Sequence, residues 1–203
     1  GSSGSDIIKH LNDIDASYQI NIKDLLRKGE SLSTSPLPGG LQETKEGKKF
    51  FILYQLGKAV ATAESLNEVL DIAMSLVLDF INAERGVIML LDKSSGQLVP
   101  QLSRYRNKSP VTEHIKVSNT ITNKVVQDKV SIISSDAMSD ARFTSGMSIA
   151  AMNIRSALCV PLWEKDEILG VIYMDNLLKS HCFTSDDLDL MTALANQIAI
   201  RIK

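Results

Sequence analysis

The sequence is poor in cysteine, histidine and any surplus of charge. Its two cysteines, Cys159 and Cys182, are too few for a disulfide framework and suit a reducing, cytoplasmic setting. Three histidines, His10, His114 and His181, fall in separate segments. None stands at a metal-ligand spacing, and the pair His181-Cys182 reads as a polar loop, so no metal is expected. Lys and Arg number 22 against 24 Asp and Glu, a net charge of −2, which leaves no basic face for nucleic acid or an anionic membrane. No apolar run approaches the roughly 18 residues of a transmembrane helix, and no signal peptide opens the chain. The chain also lacks a G-x-S-x-G elbow, a Walker loop and a dinucleotide fingerprint. Serine is plentiful, but without an oriented base it makes no nucleophile site, so an enzyme is not expected. With 44% hydrophobic and 23% charged residues, what remains is an ordinary folded chain.

Residues 1–5 (GSSGS) read as a vector scar. Over 6–28, Ile7, Leu11, Ile14, Tyr18, Ile22 and Leu25 share one face and predict a helix. Residues 29–47, rich in Ser, Gly and Pro, read as a linker, so the domain itself is expected over 48–203. There Phe50, Leu53, Leu56 and Val60 mark one helix. Ser65 and Glu68 form a capping box for a second that carries Val69, Ile72, Ala73, Leu76 and Phe80. The period then changes. Gly86–Asp92 and Gln97–Tyr105 read as a hairpin, Ser118 or Thr120 caps a short helix, and Ser131–Ser135 is strand-like. Asp136–Met152 reads as an irregular polar stretch, and Ala157–Trp163 with Ile168–Asp175 as a second hairpin. Thr184 and Asp187 cap a last helix, on which Leu188, Met191, Ala195, Ile198 and Ile202 form a heptad seam. This order predicts an α+β fold, an antiparallel sheet covered by helices.

The segment Ser134–Asn176 stands out. "DARF" (140–143), "IRSALCVPL" (154–162) and "LGVIYMDN" (169–176) lie between "AERGVIMLLD" (83–92) and "FTSDDLDLMTALANQIA" (183–199). Together these motifs resemble the GAF domain family over about residues 50–203. The resemblance implies a central antiparallel sheet with helices packed on one face and a ligand pocket on the other. It further implies a regulatory module of a bacterial-type signalling protein, like the GAF domains of adenylate or guanylate cyclases, forkhead-associated-domain regulators or ATPase-type activators. Such a module passes its signal through its terminal helices to an output domain outside this chain. Asn176, Phe183 and Asp187 match a signature of cyclic-nucleotide-binding members, which in the family supports the fold beside the pocket. Leu177 stands where that signature has Lys.

A cyclic nucleotide or another small molecule is therefore the implied ligand. Ser134, Ser135, Asp136, Arg142, Phe143, Ser145, Asn153, Arg155 and Ser156 are the candidate binding residues. Among small neighbours, their hydroxyls, amides and guanidinium groups suit a polar ligand, and an Arg fork suits phosphate or carboxylate. The competing reading is a solvated surface loop with Arg142 and Arg155 in local salt bridges. The seam of the last helix, still in register at the final residues, predicts a homodimer through the terminal helices. A ligandless adaptor is one alternative. A free methionine sulfoxide reductase-like enzyme is another, and it would need several pocket cysteines.

Overall fold

A computed structural model describes residues 44–106, 115–143 and 147–202. The expected helix at 6–28 and most of the linker lie outside those residues. The chain divides into two units, Gly1–Phe51 and Ile52–Lys203. The second unit holds every strand among the described residues, and α1 (Lys45–Thr62) runs across the boundary into it.

The capping box opens α2 (Leu66–Phe80): Ser65 Oγ accepts from Glu68 N at 3.2 Å, while Glu68 Oε2 accepts from Glu64 N. The helix buries Val69, Leu70, Ala73, Met74, Val77 and Leu78. Then β1 (Arg85–Leu91) and β2 (Leu98–Tyr105) form the first hairpin. Ser118 caps α3 (Asn119–Asp128) by accepting from Ile121 N, and left-handed Lys129 ends it. A short strand β3 (Ile132–Ser134) follows, then a 3₁₀ turn over Ala141–Phe143 and the helix α4 (Met147–Met152). The second hairpin is β4 (Ser156–Glu164) and β5 (Glu167–Asn176). The chain closes with α5 (Ser185–Ile202).

The five strands run in the order β2-β1-β5-β4-β3, every neighbouring pair antiparallel. This is the expected α+β architecture with one difference. Helices cover both faces, not one. Ile88, Leu158, Val160, Leu162, Ile172 and Met174 pack with α1, α2 and α5. The alternate residues Val87, Met89, Ala157, Cys159, Val171 and Tyr173 pack on the other face with Ile121 and Val125 of α3, Phe143 and Ile149. Burial on both faces is why β1, β4 and β5 read as unbroken apolar runs, whereas the edge strand β2 alternates. The heptad seam is spent in this core. Met191, Ala195 and Ile198 are buried and Leu188 and Ile202 partly so, while Ile200 of the same helix is exposed.

Candidate functional site

Four of the expected ligand-binding side chains are engaged with protein. Ser134 Oγ donates to Asp140 Oδ2 at 2.6 Å. The same carboxylate accepts from Arg142 Nε (2.9 Å), Arg142 Nη2 (2.6 Å) and the Arg142 backbone N–H (3.1 Å), and Nη2 also donates to Ile133 O. The Arg142 fork is thereby occupied, and its hydrogen bonds, backed by that of Ser134, hold the Asp140 carboxyl well below the usual carboxylate range. Phe143 lies buried beneath Arg142, whose guanidinium carbon is 5.2 Å from the ring centre. Ser156 Oγ donates to Lys179 O at 2.9 Å.

The remaining candidates are scattered. Ser135 is exposed, and its carbonyl accepts from His181 N. Asp136 is half-buried, its Oδ1 enclosed without a hydrogen-bond partner. Asn153 is exposed and left-handed where α4 ends. Half-buried Arg155 joins Asn176 O and Ala137 N through its backbone, and its side chain meets Met138 Sδ at 3.9 Å. Ser145 lies outside the described residues. Of the signature residues, Asn176 Oδ1 accepts from Leu178 N and Lys179 N and so shapes a turn. Phe183 is core, and Asp187 accepts from Thr184 N and Oγ1 as the cap of α5. The described parts of segment 134–156 thus fold over an apolar layer and are stitched to the loop at 176–181.

A buried charged network lies on the same face of the sheet. Arg85 donates to both oxygens of Asp175, at 2.6 and 2.8 Å, and the Tyr173 hydroxyl donates to Asp175 Oδ2 at 2.9 Å. All three residues are at most 7% exposed. Burial, then the neighbouring carboxylate, pushes the Tyr173 hydroxyl well above its usual range. Burial works against the Arg85 charge, but Asp175 outweighs it and keeps the guanidinium protonated. Both groups hold a fixed protonation state, which suits them to stabilising the fold and not to exchanging protons.

Space for a ligand exists elsewhere. A cleft of about 580 Å³ opens between α3 and the β1–β2 turn, with Asn119, Thr122, Asn123, Val126 and Gln127 on one wall and Met89, Leu91, Gln97 and Leu98 on the other. A second, of about 290 Å³, lies between Glu84, Tyr105, Arg106 and Lys179, and a broad surface depression flanks the β4–β5 turn. None of the nine expected ligand residues lines these three. The amides of α3 were missed because a polar helix face ordinarily means solvent. Their one legible signal was the spacing of four between Asn119, Asn123 and Gln127.

The thiols are separated by the sheet. Cys159 packs on the α3 side, fully buried, and burial pushes its thiol far up, while Cys182 belongs to the core on the opposite side. Among the described residues, no group of three His, Cys, Asp or Glu could hold a metal ion, and no helix is long and apolar enough to cross a membrane.

The chain is similar to the nitrogen fixation protein AnfA of Azotobacter vinelandii, 22% identical over 156 residues. That match takes in 73% of this chain but 28% of AnfA, so the chain spans little more than a quarter of that relative's length. Among solved structures, the GAF domain of an Acinetobacter phosphoenolpyruvate-protein phosphotransferase superposes with a TM-score of 0.62 at 21% identity, covering 76% of this chain and 92% of that one. The free methionine-R-sulfoxide reductase of Neisseria meningitidis, solved with its substrate, gives 0.60 at 17% identity over 76% and 87% of the two chains. At such identities the likeness is one of fold. The family pattern itself, GAF domain, matches residues 65–202, from the cap of α2 to the end of α5. The chain belongs to the GAF domain family.

Proposed function

We propose that this GAF domain is a non-catalytic regulatory module that senses a small molecule and relays its state through α1 and α5. The observation that carries the reading joins those two helices. Arg201, in the last turn of α5, donates to Val60 O at 3.0 Å and Ala63 O at 2.9 Å, the free carbonyls where α1 ends. A cation on otherwise unsatisfied carbonyls is a favourable helix-end contact. It couples the two helices, so a shift in one is felt by the other. The outputs named by the resemblance, a cyclase or a transcription activator, would then be driven from these helices, and a homodimer would bring two such pairs together.

The reductase alternative is disfavoured by its own chemistry. Reduction of a sulfoxide by thiols ends in a disulfide, and Cys159 and Cys182 face opposite cores. A cyclic nucleotide gripped by Arg142 through Nε and Nη2 together would have to displace Asp140, which disfavours that bidentate mode of phosphate recognition. The deciding assay gives the full chain free methionine-R-sulfoxide and a dithiol reductant. No turnover above the reductant alone is expected, and sustained turnover would overturn the regulatory reading.

A further inference from the structure

The sensor reading leaves the chemistry of the ligand open. The cleft beside α3 supplies that chemistry, and a ligand assigned to it rests on the sensor reading. Asn119, Asn123 and Gln127 stand at successive intervals of four on α3, so their side chains form one row about 12 Å long at 1.5 Å rise per residue. All three are exposed to the cleft, and Gln97 faces them from the β1–β2 turn. Met89 and Val126 supply apolar surface between the two walls. No charged side chain is among the described residues of its lining. The charges of α3 are turned to each other instead, Lys124 donating to Asp128 at 2.6 Å.

A charged ligand held here would give up water without gaining a counter-charge. A carboxamide offers an acceptor and two donors side by side. It therefore matches a lactam edge, in which a ring carbonyl and a ring N–H lie next to each other. A row of such groups above a strip of apolar and thioether surface suits a flat heterocycle. The volume, about 580 Å³, falls within the range of small-molecule sites. We propose that this cleft binds an uncharged planar lactam heterocycle of the nucleobase class, and that it selects against the phosphorylated forms of the same base.

The test uses the full chain, labelled with nitrogen-15, titrated with hypoxanthine and uracil and, in parallel, with their 5′-monophosphates. The side-chain amide signals of Asn119, Asn123 and Gln127 should shift with at least one free base and saturate near or below about 1 mM, with the matching monophosphate weaker by about tenfold or more. The double variant Asn123→Ala, Gln127→Ala changes only exposed positions. It should keep the wild-type circular dichroism and lose about tenfold in affinity. Amide signals that stay still at millimolar base, a monophosphate that binds as tightly as its base, or a double variant that binds like wild type would each overturn the assignment. Those failures leave the sulfoxide assay untouched, so the loss of this ligand class and the loss of the regulatory reading are told apart.

Discussion

Gly86 and Gly170 show how one residue type can have two different tolerances. A side-chain carbon at Gly170 would run into the Met89 carbonyl oxygen and crowd Leu90 Cα, backbone atoms of the paired strand that cannot step aside. At Gly86 the obstacle is the Met74 thioether, the movable end of a flexible chain. Gly170→Ala should therefore cost about 3 kcal/mol and Gly86→Ala about 1 kcal/mol, read as the difference in urea unfolding free energy. Equal losses would mean that β5 can move away from β1. Sequence reading reached the residues of segment 134–156 but not their partners. Nothing in "DARF" says that Arg142 turns back on Asp140, because a two-residue loop contact leaves no periodicity to detect. Of the local salt bridges expected for Arg142 and Arg155, the structure gives that of Arg142 with Asp140, whereas the Arg155 side chain meets Met138 Sδ.

Elements were more legible than sites, since their signals are local. Both capping boxes occur where Ser65/Glu68 and Thr184/Asp187 placed them, and both hairpins pair as expected. The helix α4 was lost inside a stretch read as irregular. Its six residues, MSIAAM, complete under two turns, too few for a repeat to emerge. The seam of α5 was seen correctly as a stripe. Its partner is the sheet of the same chain, and a period alone does not say which surface a stripe meets. At this scale the cap of α5 is testable. Thr184→Ala removes the Oγ that accepts from Asp187 N and donates to Asp187 Oδ2. It should lower the unfolding free energy by about 1 kcal/mol, with the urea dependence unchanged. A loss near zero would show that Asp187 on the Thr184 backbone amide suffices to start the helix.

The unit Ile52–Lys203 is held by a sheet with an apolar layer on each side and a charged cross-link between two of its strands. Arg85 and Asp175 occupy paired positions on β1 and β5, the strands that join the two hairpins. Asp175→Asn keeps the shape but leaves the Arg85 guanidinium buried without its counter-charge, so the expected loss is about 3–5 kcal/mol in thermal or urea unfolding. A loss below about 1 kcal/mol would place water at that site. The same pairing sets an order of events in folding. Each hairpin closes between neighbours in sequence, but β1 meets β5 across 90 residues. During synthesis, β1 is made with one edge that can be satisfied by β2 and another that must wait for the chain to grow through Asp175. A nascent chain halted before that point would carry an unpaired apolar strand, the kind of edge that chaperones shield and that other chains can capture.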